Sequence, residues 1–251
     1  MSGHSKWKTI KHKKEAADAK RGQAFTRLGR EIVIAARRGG GDPDSNFSLR
    51  LAIDKARIAN MPRDNIDRAI RRGTGDNKGE ELAEVMYEGY APNGVAVLVQ
   101  ALTDNRNRTV SDVRRILTRQ GGSLADAGAV SWQFERKGYI AITPDGVDQD
   151  KIFELAVEAG ADDVVFSEGL IEIYSDLENF QAVRQALENL GVEVETAEMA
   201  MIPKQTMQLS EKETFQVMGV IEALEELDDT QQVYSNLDIN DEIMAKYEQA
   251  G

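Results

Sequence analysis

The chain has 251 residues, of which 41% are hydrophobic, a composition typical of a globular protein and not of a disordered one. It contains no cysteine and two histidines, so disulfides, thiolate nucleophiles and thiolate metal sites are excluded, and histidine chemistry nearly so. Its apolar runs are too short for a signal peptide or a membrane span, so we expect a cytoplasmic protein without a membrane partner.

The net charge of −12 hides a strong asymmetry along the chain. Residues 1–78 carry 19 Lys and Arg against 9 Asp and Glu, about +10, whereas the remainder carries 12 against 34, about −22. A basic segment joined to an acidic body indicates a domain that binds a polyanion. The alternative is that the opposite charges pair with each other, within one molecule or between molecules.

The chain begins with the basic sequence MSGHSKWKTIKHKK, in which lysines lie on both sides of a tryptophan. Lysines can follow a phosphate backbone while an aromatic ring stacks on a base. The candidate contacts in this segment are Lys6, Trp7, Lys8, Lys11, Lys13 and Lys14. The alternative is a disordered terminus that keeps the protein in solution.

Apolar residues three to four positions apart predict helices over residues 15–38, 46–59 and 62–73. Glycines and Pro43 separate the first two helices, and Pro62 lies in the first turn of the third. The faces opposite the apolar residues carry candidate phosphate contacts, namely Lys20, Arg27, Arg30, Arg37 and Arg38 on the first helix and Arg68, Arg71 and Arg72 on the third. We predict that the three helices close a small core and leave these cations exposed.

Beyond residue 79, short strands alternate with helices. Strands are predicted over residues 84–90, 94–102, 129–135, 138–143, 163–166, 170–175 and 192–202, helices over 109–120, 148–159 and 177–190, and a strand, a helix and a strand within 205–236. We expect Thr109 or Ser111 to cap the helix over 109–120. Trp132 and Phe134 alternate with Val130 in a predicted strand, so we expect them in the core.

This order of elements predicts an α+β protein, with a small helical N-terminal domain followed by two ferredoxin-like α+β domains, one inserted in the other. The predicted boundaries are residues 1–78 for the basic helical domain, 79–129 with 204–240 for one α+β domain, 130–203 for the inserted domain and 241–251 for a tail. The joint after residue 73 is rich in glycine and is not followed by the lysine of a phosphate-binding loop.

The sequence DNRNRT is locally basic within the acidic half. Arg106 and Arg108 could reach a backbone phosphate, with Asn105 and Asn107 as amide contacts. Equally, Asp and Asn here could form a turn and a helix cap, with arginines that pair with nearby carboxylates. The two interpretations stay open at this point.

Acidic clusters at DGVDQD, GADD and EELDD lack the ligand spacing of a calcium loop. We expect Asp148 to cap a helix, and the carboxylates from Glu222 to Asp229 to lie on a solvated helix face. No catalytic, metal-ligating or cofactor-binding arrangement is recognisable, so we predict a protein that is not an enzyme and uses no cofactor.

Six sequence blocks resemble the YebC/PmpR family in order and over most of the chain: GHSKWxxIKHKK, NMPRDNIDRAI, YEGYAPNGVAVLVQALTDNRNRT, GGSLADAGAVSWQFERKG, AEMAMIP and LEELDDTQQVYSN. The resemblance implies a helical domain followed by two α+β domains, one inserted in the other, in a cytoplasmic, DNA-binding transcriptional regulator. Mitochondrial relatives act as translational activators, and bacterial members are linked to ribosomes stalled on proline-rich stretches. By position, the basic block of the family falls on Lys6, Trp7, Lys8, Lys11, His12 and Lys13, and its loop on Arg106 and Arg108.

Three functional hypotheses follow. The first is a regulator that binds DNA through its basic N-terminal domain, because electrostatic attraction is what the sequence supports and no recognition-helix motif is evident. The second is a ribosome-associated translation factor that binds ribosomal RNA or tRNA. The third is a scaffold whose acidic domains bind other proteins.

Overall fold

The computed structural model describes residues 18–75, 82–144, 146–167 and 169–250. Its N-terminal part consists of three helices, α1 (Asp18–Gly39), α2 (Phe47–Ile58) and α3 (Arg63–Thr74). They confirm the three predicted helices to within a few residues. No helix of the described part is both long and apolar enough to cross a membrane.

A buried asparagine joins the first two helices. The Asn46 side chain accepts a hydrogen bond from the backbone N–H of Leu49 and so caps α2. Its amide donates to the carbonyls of Ala35 and Gly40, at 2.9 and 2.8 Å, which tie the end of α1 to the start of α2. The helices then close over a core that includes Ile32.

The rest of the chain forms eight strands and five helices in the described residues: β1 (Ala83–Tyr90), β2 (Ala96–Thr103), α4 (Arg106–Arg119), β3 (Ser123–Ala125), β4 (Phe134–Ile142), α5 (Gln149–Glu158), β5 (Ala161–Ser167), β6 (Leu170–Ser175), α6 (Phe180–Leu190), β7 (Val194–Pro203), α7 (Glu211–Glu225), β8 (Thr230–Ser235) and α8 (Asp241–Ala250). The strands form two antiparallel four-stranded sheets, in the orders β3-β1-β2-β8 and β5-β6-β4-β7. The second sheet has the element sequence β-α-β-β-α-β and the strand order of a ferredoxin-like fold.

All strands of the second sheet lie between β3 and β8 in the chain, so this sheet is inserted in the first. The predicted fold class, a helical region followed by two α+β units with one nested in the other, is therefore confirmed. The exact domain boundaries stay a prediction. The first sheet also has four strands, but its elements follow a different order from those of the ferredoxin-like sheet. Its β1–β2 hairpin comes before α4 in the chain.

The two sheets pack against each other, and helices cover their outer faces. Alternate residues of β2 point in opposite directions, with Leu98 in the core shared by the sheets and Val97 in the core under α4 and α7. In the second sheet Tyr139 faces the shared core and Ile140 faces α5 and α6. Leu51 of α2 joins that outer core, which seats the helical N-terminal part on the inserted sheet.

The prediction for Trp132 was wrong. A 3-10 turn spans Ser131–Gln133, and the indole of Trp132 is 67% exposed. One strand, β4, runs from Phe134 to Ile142 where two strands were predicted, while Phe134 itself is buried as expected.

The physical reason is a carboxylate on β1. Buried Glu88 accepts hydrogen bonds from the backbone N–H groups of Gly128, Val130 and Ser131, at 2.7, 2.7 and 2.8 Å. These N–H groups are therefore not available to a sheet ladder, and the chain turns here instead of extending. Burial alone would raise the pKa of Glu88, but the three donors together lower it below its ordinary value.

Three further predictions need correction. The cap of α4 is Asn105, which accepts from the N–H of Arg108, and not Thr109 or Ser111. Residues 205–210 contain only an isolated bridge, Met207 with Leu237, where a strand was predicted. Residues 241–250 of the predicted tail form helix α8, which packs on the core of the first sheet through buried Met244. The Asp148 cap of α5 is confirmed.

Replacing the Glu88 carboxylate by an amide, Glu88→Gln, is expected to lower the free energy of unfolding by about 2–3 kcal/mol at neutral pH. The amide keeps one acceptor oxygen and brings an NH2 group against three N–H donors. Because the folded pKa of Glu88 is lowered, its contribution is present above the unfolded value of about 4.3 and is lost as the pH falls. Urea denaturation from pH 7 to pH 3 measures this.

The matched control is Glu154→Gln, which removes the same charge from an exposed position on α5. The difference between wild type and Glu88→Gln should shrink on acidification, whereas the control should follow wild type throughout. A pH-independent difference would contradict the assigned role of the carboxylate charge.

Candidate nucleic-acid interface

The first helix packs part of its predicted cationic ridge, Arg27 and Arg30, against the body of the protein. The guanidinium of Arg30 donates to the carboxylate of Asp229 at 3.0 Å and to the carbonyl of Asp228 at 2.7 Å. Arg27 donates to the carbonyl of Glu225. The prediction that these two arginines are exposed was therefore wrong, because they donate to oxygen atoms at the end of α7 and just after it.

Asp229 is the centre of this contact. Its second carboxylate oxygen accepts from Arg108 at 2.8 Å, from the hydroxyl of Thr109 at 2.7 Å and from that of Thr103 at 3.2 Å. Burial alone would raise the pKa of Asp229, but the donors of Arg108 and Thr109 lower it. The predicted solvated helix face does not include this residue, since α7 ends at Glu225 and Asp229 is 5% exposed.

Other cations of the helical part also pair within the molecule. Lys55 lies 3.2 Å from Glu31 and 3.1 Å from Glu198 of the inserted sheet. Burial lowers the pKa of Lys55, and the two carboxylates raise it by more. Arg38 pairs with Glu84. At these positions the cations pair with carboxylates of the same molecule, which was the alternative to binding a polyanion.

A second group of arginines lies on the surface at the C-terminal ends of α1 and α3. A methyl group at Gly73 would lie 2.6 Å from the carbonyl oxygen of Val33, so only glycine allows the two helices to approach this closely. Their last turns are thereby side by side. We call the exposed residues Arg37, Arg68, Arg71 and Arg72 the C-terminal arginine cluster.

Three arginines of the cluster are available to a ligand in the part of the chain that the structure describes. Among the described residues, no carboxylate lies within ion-pair distance of Arg37, Arg68 or Arg71. Arg71 donates to the carbonyl of Asp67 on its own helix. The guanidinium groups of Arg37, Arg68 and Arg71 can therefore bind an anion without first losing a described carboxylate partner.

The two arginines of the DNRNRT loop differ. Arg108 pairs with carboxylates, as the helix-cap interpretation predicts, whereas Arg106 stays exposed. Asn105 forms the helix cap, and Arg108 pairs with Asp104 at 2.7 Å as well as with Asp229. These two carboxylates raise the pKa of Arg108. Arg106 is exposed, and its carbonyl accepts from the hydroxyl of Tyr87.

The predicted contacts of the basic N-terminal segment, Lys6, Trp7, Lys8, Lys11, His12, Lys13 and Lys14, lie outside the described residues. Lys20 belongs to α1, but its side chain also lies outside them. These contacts stay predictions. Among the described residues, no three His, Asp or Glu side chains come together in a way that could hold a metal ion.

Sequence reasoning missed three arginines of α4. Arg114, Arg115 and Arg119 are exposed, while Val113 and Leu117 of the same helix are buried. The helical register could have revealed this, because apolar residues four apart place the intervening arginines on the outer face.

Comparison with known proteins identifies relatives over nearly the whole chain. The model of the TACO1/YebC protein N-terminal domain matches residues 5–76, and that of the TACO1/YebC second and third domain matches residues 82–237. A probable transcriptional regulatory protein of Dehalococcoides mccartyi strain CBDB1 is 53% identical over 247 residues, which is 98% of each chain. Another, of Geobacter sulfurreducens, is 52% identical over 246 residues, 98% of this chain and 99% of its own.

A solved structure has the same fold. The crystal structure of a conserved hypothetical protein from Aquifex aeolicus superimposes with a TM-score of 0.82 at 48% identity. The match covers 89% of this chain and 93% of the other.

Removing the charge at the centre of the contact, by Asp229→Asn, is expected to lower the free energy of unfolding by about 2–3 kcal/mol. The change leaves Arg30 and Arg108 without their shared carboxylate. The exposed Glu226→Gln, three positions earlier, is the matched control and should change the stability by about 0.5 kcal/mol or less. Urea denaturation at neutral pH measures both, and equal losses in the two variants would refute the central role of Asp229.

Proposed function

The chain belongs to the TACO1/YebC family, and on that basis we propose that it is a non-enzymatic regulatory protein that binds nucleic acid. Relatives of about half identity carry the name of probable transcriptional regulatory proteins. The observation that carries the proposal is the exposed C-terminal arginine cluster on the helical part. Duplex DNA is the proposed target.

The distribution of charge supports a contact through the helical part. Arginine binds phosphate oxygens through two parallel hydrogen bonds, and exposed guanidinium groups are common in such contacts. The chain beyond residue 78 carries a net charge of about −22, which repels a polyanion from most of the body. A nucleic acid is therefore directed toward the surface of α1 and α3.

The composition of the exposed helices favours a duplex backbone over single-stranded bases. Helix α3 contains no aromatic residue, and neither does α4. A single strand is usually held by bases stacked on aromatic rings, whereas a duplex backbone is held by charge and hydrogen bonds alone. Such contacts give affinity without reading sequence.

A second candidate function rests on the basic N-terminal segment. Lysines around Trp7 suit irregular or single-stranded RNA, because the ring can stack on an unpaired base. On this hypothesis the protein is a translation factor that binds ribosomal RNA or tRNA and relieves stalled, proline-rich translation. The acidic domains would then face basic ribosomal proteins.

The test is a titration of wild type and of the double variant Arg37→Gln/Arg71→Gln with a random-sequence DNA duplex, followed by fluorescence anisotropy. The variant removes two charges of the cluster that have no described carboxylate partner, so the dependence of log K on log salt should become shallower by about two. The control Lys151→Gln/Lys212→Gln removes two exposed charges from the acidic body and should bind as wild type does.

Parallel titrations with a hairpin RNA and with a single-stranded RNA separate the two candidate functions. Tighter binding of either RNA, lost in Trp7→Ala, would overturn the DNA target in favour of the translation factor. Absence of binding to all three nucleic acids would refute both and leave a protein-binding scaffold.

A further inference from the structure

We propose that the outer face of α4 is a second contact for the backbone of the same DNA duplex, continuous with the contact of the helical N-terminal part. The inference rests on the proposed function and adds to it a surface on the acidic body. The residues that form this α4 face are Arg108, Arg115 and Arg119, with Arg114 beside them.

The charge of α4 is exceptional for its surroundings. The helix has five arginines and one acid, Asp112, within 14 residues. The rest of the chain beyond residue 78 is strongly acidic, so these cations form a local positive surface on a negative body. The acidic body otherwise repels a polyanion, and this positive surface allows one to approach.

The register of the helix puts these charges in a line. Thr109, Val113 and Leu117 are buried, which fixes the inner face of α4. Positions 108, 115 and 119 are seven and four residues apart and lie on the opposite face, so they follow one line along the helix axis. A straight row of cations on a rigid helix fits a regular polyanion better than a flexible one.

Three of these four arginines are available to a ligand, whereas Arg108 is already paired with two carboxylates. No described carboxylate lies within ion-pair distance of Arg114 or Arg119. Arg115 pairs with Asp112 at 3.0 Å, and its side chain is 69% exposed. An exposed pair of this kind contributes little stability, so a phosphate can replace the carboxylate at small cost.

Asp229 places this face beside α1. One oxygen of its carboxylate binds Arg30 of α1, and the other binds Arg108 of α4. The two helices therefore meet at a single buried carboxylate, and Arg108 begins the row of α4 at that point. On this proposal, a duplex that lies on the helical part continues onto α4 at this junction.

The experiment compares Arg115→Gln/Arg119→Gln with wild type in anisotropy titrations against a random-sequence DNA duplex, a duplex RNA of equal length and a single-stranded RNA. With duplex DNA, the variant is expected to bind about tenfold or more weakly near 0.1 M salt, with a salt slope shallower by about two. Arg115→Lys/Arg119→Lys keeps the charges and should keep most of the affinity and the slope. Lys151→Gln/Lys212→Gln is the charge-matched control, and thermal melts report whether each variant is folded.

The outcomes separate this inference from the proposed function. If Arg37→Gln/Arg71→Gln weakens binding but Arg115→Gln/Arg119→Gln binds as wild type does with an unchanged slope, the second contact is refuted and the proposed function stands. If wild type binds no nucleic acid, the proposed function fails first. An α4-dependent preference for either RNA would overturn the choice of duplex DNA.

Discussion

The buried carboxylate of Asp229 connects α1 to the junction of β2 and α4, which lies far from α1 in the sequence. It accepts hydrogen bonds from Arg30 on α1, from Arg108 and Thr109 on α4 and from Thr103 at the end of β2. A buried carboxylate with several charged donors stays ionised, and each donor then has a fixed position. The seat of the helical part on the body, and the relative placement of its arginines, depend on this contact.

The same contact divides the arginines into two groups. Arg27 and Arg30 are used to hold α1 against the body, whereas Arg37 and Arg71 remain on the surface without a described carboxylate partner. Net charge alone does not reveal the division, since every arginine counts equally in it. An arginine that is already paired with a buried carboxylate, as Arg30 is, is less available to a phosphate.

Local patterns sufficed for the helices and for the nesting of the sheets, because apolar spacing and glycine stops are encoded within a few residues. The errors arose where a distant residue decided the outcome. Trp132 follows an alternating apolar pattern, yet Glu88, more than 40 positions earlier in the chain, takes the N–H groups that a strand would need. Arg30 lies on the polar face of its helix, and only the tertiary fold brings Asp229 to that face.

Salt should act differently on the two groups of arginines. Exposed charges that attract a polyanion are screened at physiological ionic strength, and counterion release makes their binding steeply dependent on salt. The pair of Arg30 with Asp229 is largely buried, with side chains 21% and 7% exposed, so screening affects it much less. A nucleic acid bound as proposed would therefore be released as salt rises, while the helical part keeps its place on the body. The arrangement of Arg37 and Arg71 on the surface is kept as well, because Asp229 orders α1 through Arg30 and not through their guanidinium groups.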